Sequence, residues 1–284
     1  MVKIKTFVKI FLVFNQRIFR FSIDFFIIFI NLIYNLVVYK KPYDDDIVFV
    51  TAAEKNYFNQ LILLINSYCK HLDNQFIVYD IGLDREQLQY INYNYQNLIL
   101  RRFQFEQYPE FVSQYFDDKL GNYAWKPVII DEVLKQSKSK VVWLDAGNLI
   151  TRKIKFLKIA LTTNGIIVPS SSNTIKEWTH PKTIEYIGVQ NNILKKRNFA
   201  SGLVGFDYNL KEARIIAELW SEFSQIQECI SPKGSSRLNH RQDQAVLTLL
   251  LYKYLFKGNF KRLIHPQTNF IFGVLFHNRR IYNF

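Results

Sequence analysis

The chain has 284 residues, 49% of them hydrophobic and 16% aromatic, and a formal net charge of +13. That length allows one large α/β domain or two small ones, and that composition excludes disorder over most of it. The two cysteines, Cys69 and Cys229, form no CxxC pair and no metal-type spacing, so the sequence makes no case for disulfides or a cysteine metal site.

The charge is unevenly spread. Residues 1–41 carry Lys3, Lys5, Lys9, Arg17, Arg20, Lys40 and Lys41 against Asp24 alone, a net of +6 that leaves +7 for the remainder. Such an excess favours anionic partners. Phe25 to Tyr39 are uncharged, but 15 residues fall short of the ~20 that a helix needs to cross a bilayer. No small-residue cleavage site follows, which argues against a removed signal peptide. The arm at 1–41 therefore reads as an apolar helical segment that associates peripherally with an anionic membrane surface. A helical hairpin packed on the body or on a dimer partner is the competing reading. Nucleic acid is not an expected partner: no recognised motif is present, and the arm is too apolar for a plain phosphate-binding tail.

A polar linker, Lys41 to Asp46, opens the second unit, residues 42–284. Ile47 to Val50 form an apolar strand ending in Thr51, Ala52 and Ala53, and a helix follows with Phe58, Leu61, Ile62, Leu64, Ile65, Tyr68, Cys69 and Leu72 on one broad face. The position of Cys69 there predicts a buried thiol. Gln75 to Asp80 form a second strand, Asp84 caps a short helix, and Asn97 to Phe105 form a third strand. This alternation implies a parallel sheet with right-handed crossovers. No GxGxxG follows the first strand, which argues against a methyltransferase on a Rossmann-like sheet.

Pro127 suits the first position of a helix over Val128 to Gln136. Lys126 then sits near a helix N-terminus, where the dipole disfavours a cation, so it is either an ordinary surface lysine or the holder of an anionic partner such as a phosphate. Lys140 to Asn148 is the segment on which the functional reading turns. Val141 to Leu144 are apolar without alternation, as in a strand buried on both faces, and the run stops at Asp145. In an open α/β sheet, ligands sit beyond the carboxyl ends of the strands. Asp145 either holds a cation or a ribose hydroxyl there, or caps the following turn.

Gly165 to Pro169 read as another strand, and Ser170 to Asn173 as a polar loop belonging to a mobile active-site segment. Phe199 to Asp207 form a strand, Leu210 to Ile230 a long amphipathic helix, and Ala245 to Phe256 another helix with Asp243 and Gln244 at its first turn. Leu263 to His265 end a further strand.

Five segments, in order, resemble the nucleotide-diphospho-sugar glycosyltransferases of the GT-A fold, of the family 8 type. They are Val-Phe-Val-Thr-Ala-Ala (48–53), Ala-Trp-Lys-Pro (124–127), Trp-Leu-Asp-Ala-Gly (143–147), Phe-Ala-Ser-Gly-Leu-Val-Gly-Phe-Asp (199–207) and Arg-Gln-Asp-Gln-Ala-Val-Leu (241–247). The resemblance implies a GT-A (Rossmann-like) mixed, mainly parallel sheet flanked by helices. It implies transfer of a sugar, a hexose, from a nucleotide-diphosphate donor, a UDP-sugar, to a glycan or glycolipid acceptor. Thr51, Ala52, Ala53, Tyr57, Lys126, Ser201 and Gly202 would then bind donor and nucleotide. Asp145, Asp243 and Gln244 would be the catalytic group. Asp145 and His265 would ligate Mn²⁺ or Mg²⁺. Two departures bear on the metal: the second acid of the Asp-x-Asp motif is Gly147, and the late His-x-x-Gly-x-x-Lys-Pro-Trp segment is missing. A GT-A-like protein that binds glycans or a partner without catalysis is the alternative reading.

Overall fold

The computed structural model describes residues 47–113, 115–116, 119–120, 122–255 and 274–276, together with the single residue 26. The expected membrane-associating arm at 1–41 and the nominated metal ligand His265 lie outside the described residues. No helix among the described residues is long and apolar enough to cross a membrane.

In chain order the elements are strand β1 (Ile47–Ala53), helix α1 (Phe58–His71), β2 (Gln75–Asp80), α2 (Arg85–Asn94) and β3 (Ile99–Arg102). A short hairpin, β4 (Tyr115–Phe116) and β5 (Lys119–Leu120), leads to α3 (Trp125–Ser137), β6 (Lys140–Leu144) and β7 (Asn148–Ile150). Then come α4 (Lys155–Asn164), β8 (Ile166–Ile167), β9 (Ser170–Thr174), α5 (Ile175–Trp178), α6 (Pro181–Ile187), β10 (Arg197–Phe199) and β11 (Leu203–Asp207). Helices α7 (Lys211–Ser224), α8 (Gln227–Ile230) and α9 (Gln242–Leu250) follow, with β12 (Val274–Phe276) at the end.

Six strands make the central sheet in the order β3-β2-β1-β6-β11-β8. β1 pairs in parallel with both β2 and β6, and β2 with β3, while β11 runs antiparallel to β6 and β8. This is the mixed, mainly parallel α/β architecture expected from the sequence. β1 and β6 are buried along their whole length because helices cover both faces. The pleat sorts their side chains. Val48, Val50, Val141 and Trp143 face the cluster that holds Ile129, Val133, Ile216, Trp220 and Val246, from α3, α7 and α9. Ile47, Phe49, Val142 and Leu144 face the cluster that holds Leu61, Leu64, Ile65, Leu157 and Leu161, from α1 and α4.

Several local expectations change. Asp84 caps α2 with a full capping box, its side chain accepting from the Gln87 amide, but the helix runs on to Asn94. α3 begins at Trp125, so Pro127 is its third residue. Its missing N–H falls in the first turn, where no helical acceptor is available. Ser170 to Thr174 form a strand paired with β10 rather than a loop. The expected long helix after Leu210 breaks after Ser224 and resumes as α8. Cys69 is exposed, not buried. The buried stripe of α1 is Leu61, Leu64, Ile65 and Tyr68, and a residue one step past Tyr68 is turned about 100° off that stripe.

Candidate active site

The site forms where β6 ends. The last buried residues of this strand are Trp143 and Leu144, and Asp145 follows at the rim with its side chain one-third exposed. The indole Nε1 of Trp143, itself fully buried, donates to Asp145 Oδ1 at 2.7 Å and fixes the carboxylate. Because β11 runs antiparallel to β6, its first residue, Leu203, sits opposite Leu144. Ser201 and Gly202 are thereby set beside Asp145. The Gly202 carbonyl accepts from the Asp145 amide at 2.9 Å and from Asn148 Nδ2 at 2.7 Å, which pins the turn from 145 to 148.

Two helices bring the other charges. α3 starts beneath the sheet end and puts Lys126 inside the protein, 3% exposed. α9 is buried from Ala245 to Leu250, so docking that helix carries Asp243 inside with it. Trp220 Nε1 donates to the Asp243 carbonyl at 2.9 Å and fixes the start of α9. The Lys126 ammonium lies 3.1 Å from Asp145 Oδ1 and 3.1 Å from Asp243 Oδ2. It also reaches Ser201 Oγ at 3.4 Å, and that hydroxyl donates to Asp243 Oδ2 at 2.7 Å. Burial works against the charge on Lys126, but the two carboxylates outweigh it and hold its pKa above the ordinary lysine range. Burial pushes the Asp243 carboxyl up, and Lys126 and Ser201 offset part of that push. Lys126 is therefore a buried ammonium shared by two acids, which is why a cation stands at a helix N-terminus.

These four residues share a cavity of about 470 Å³. Ala52, Ala53 and Tyr57 line it at the end of β1, and Gln244 lines it from α9. Thr51 does not line it. Its side chain is fully buried within β1, and the pleat turns it toward the α1 side of the sheet. Gly202 is not in the lining either and acts through its carbonyl.

The cavity also contains residues that the sequence reading did not single out. Glu54 lies beside Ala53, 2% exposed, with Oε2 accepting from the backbone and side chain of Asn56 and Oε1 buried without a hydrogen-bond partner among the described residues. Tyr123 and Gln242 line it with positive φ, 55° and 44°, a conformation that costs a non-glycine residue on the order of 1–2 kcal/mol. Arg237 and Arg241 line it from the segment between α8 and α9. The signal for Arg241 was its place directly before Gln-Asp-Gln, while nothing in the local pattern marked Arg237.

That segment is anchored by His240, which is fully buried. Its Nδ1 accepts from the His180 amide at 3.2 Å and its Nε2–H donates to the Ile230 carbonyl at 2.9 Å. Burial foremost pushes its pKa down to about 4, so the imidazole is neutral. The Arg241 amide donates to the Trp178 carbonyl at 3.0 Å.

The donor set for a divalent cation is poor among the described residues. Of the three carboxylates that line the cavity, Asp145 and Asp243 each have an oxygen committed to Lys126, and Glu54 has one committed to Asn56. Gly147 supplies no side chain, and no group of three His, Cys, Asp or Glu residues is placed to hold a metal. The fixed ammonium at 3.1 Å adds like-charge repulsion. These residues do not fit a metal held by protein side chains.

Comparison with known proteins bears on the fold. A family model described as "Protein of unknown function (DUF1647)" matches residues 30–131, from within the N-terminal arm into α3. No curated protein matches the chain by sequence. Among solved structures, the chain is similar to the WbbM bifunctional glycosyltransferase in its apo form, with a TM-score of 0.50 and 14% identity over 79% of this chain and 39% of that one. The chain thus spans well under half of WbbM. The galactosyltransferase LgtC, solved with donor and acceptor sugar analogues, aligns over 72% of this chain and 70% of that chain at 18% identity, with a TM-score of 0.45. Core-mannan synthase A from Aspergillus fumigatus, in an Mn/GDP form, aligns over 73% and 70% at 9% identity, with a TM-score of 0.49. The fold this chain shares with WbbM is the glycosyltransferase-type α/β fold that its five sequence segments led one to expect.

Proposed function

We propose that this chain is a glycosyltransferase that moves a sugar from a nucleoside-diphosphate donor to a glycan or glycolipid acceptor. The observation that carries the reading is the joining of Asp145, Lys126, Ser201 and Asp243 in one cavity at the carboxyl ends of β1 and β6. That is where an open α/β sheet receives a nucleotide, and about 470 Å³ is ample for one. Glu54 offers a buried acceptor for base or ribose groups beside Ala52 and Ala53. Asp145 accepts a sugar hydroxyl at the rim. Asp243, near the reacting centre, stabilises positive charge that develops on the anomeric carbon as the bond to the diphosphate breaks. Lys126 bridges the two carboxylates at 3.1 Å from each and offsets their mutual repulsion. UDP as the nucleotide, a hexose as the sugar, and a membrane-borne acceptor reached through the basic apolar arm at 1–41 complete the proposal.

Nucleotide release from UDP- and GDP-sugars, with and without glycan acceptors, tests it. Asp145→Asn preserves the acceptor for Trp143 and should leave folding intact while lowering turnover at least ~100-fold. Wild-type turnover retained by this variant would take Asp145 out of the site. Tight nucleotide-sugar binding with no release under any acceptor would favour the non-catalytic alternative.

A further inference from the structure

We propose that Arg237 and Arg241 grip the donor's diphosphate and supply the charge that stabilises it as it leaves, in place of a divalent cation. This rests on the glycosyl-transfer reading above. As the anomeric C–O bond breaks, its electron pair passes to the diphosphate oxygen. The new bond forms to the acceptor oxygen, whose proton goes to solvent. A cationic partner is needed at the diphosphate.

The cavity's charges show where that partner is. Three acids and three bases line it, but they are not evenly matched. Lys126 is spent on Asp145 and Asp243. Neither Arg237 nor Arg241 has a carboxylate within ion-pair distance among the described residues, though both line the same cavity and are exposed to it. The two guanidiniums repel one another, which depresses the Arg241 pKa after the larger effect of burial. Both also stand by the N-terminus of α9, whose dipole adds further positive potential. An arrangement of two cations and a helix N-terminus without a counter-ion is unfavourable until an anion enters.

The guanidiniums are also held ready. Arg241 stacks on the Trp178 ring, with its central carbon 3.8 Å from the centroid. Arg237 donates to the Tyr123 hydroxyl at 2.6 Å and lies 5.3 Å from that ring. Stacking occupies the face of a guanidinium and leaves its N–H edge for phosphate oxygens. The backbone is braced as well, by His240 and by the left-handed Gln242, whose side chain reaches Asn122 at 3.4 Å. The weak donor set at Asp145 and Gly147 then has a physical counterpart in the two guanidiniums that line the same cavity.

Isothermal titration of the full-length chain with pyrophosphate, UDP and GDP, each in EDTA and in MnCl₂, tests the assignment. Wild type should bind the diphosphates in EDTA. Arg237→Gln and Arg241→Gln should each raise Kd about tenfold or more, and lysine at either position should recover part of the loss. Lys233→Gln, an exposed base on the same segment outside the cavity, should change nothing. Circular dichroism checks that the variants fold. Binding of UDP or GDP only with Mn²⁺, or binding in EDTA that both glutamine variants retain, overturns this inference and leaves the transferase reading standing. No binding of any diphosphate with or without Mn²⁺ overturns both.

Discussion

Replacing Lys126 by methionine removes the charge that holds the site together and keeps the side chain's length. At 3.1 Å, each Lys–Asp attraction is worth roughly 5 kcal/mol at an effective dielectric of about 20, before desolvation is subtracted. Asp145 is one-third exposed and recovers solvent when its partner is lost, so its share is the smaller one. Asp243 is 5% exposed and keeps only the Ser201 hydroxyl against that oxygen. Breaking a buried pair in this way costs about 3–5 kcal/mol. Asp243→Asn added to Lys126→Met removes the stranded charge and should return at least about 2 kcal/mol of that loss. Urea unfolding followed by tryptophan fluorescence at pH 7 measures both variants. A loss under about 1 kcal/mol in the single variant, or a double variant no more stable than the single, would refute the view that Lys126 is the shared counter-ion.

His240 predicts a pH dependence. Its folded pKa is about 4 against an ordinary value of 6.5, so the unfolded chain binds the proton more readily. The associated stability is complete above about pH 6.5 and is lost as pH falls toward 4, a change of roughly 3 kcal/mol. His240→Asn should flatten this part of the stability profile in urea titrations between pH 4 and 7, and an unchanged slope would contradict the burial argument. Gly165 ends α4 with φ of +76°, and a Cβ there would collide with the Leu210 side chain. Gly165→Ala should cost about 1–2 kcal/mol in thermal unfolding, and a neutral result would contradict both the left-handed strain and the clash with Leu210.

The sheet was legible because its central strands are uninterrupted apolar runs, and Val141 to Leu144 stop at an acid, where a strand should end. Helix limits were less legible. Pro127 suggested a first position, but the first turn tolerates it three residues in. Asp145, Asp243, Ser201 and Lys126 were each visible as residues, yet their ion pairs depend on the docking of α3 and α9, and the place of Ser201 on the antiparallel β11, none of which a local pattern encodes. Arg237 was illegible for a similar reason. Its position on the cavity wall is fixed by His240 docking against residues 180 and 230, a contact made through backbone groups that carry no sequence signature.

The ammonium of Lys126 also bears on the order in which the molecule assembles. Seventy-five residues separate it from Ser201, and forty-two more separate Ser201 from Asp243. During synthesis the sheet side of the site is made first, and Lys126 then has one carboxylate to face, itself one-third exposed. Sealing it in at that stage would strand much of its charge, so this part of the protein should stay loose and wet until α9 emerges and docks. A chain stopped short of residue 243 should thus be open to proteolysis on this face, because the second carboxylate that seals Lys126 in is missing.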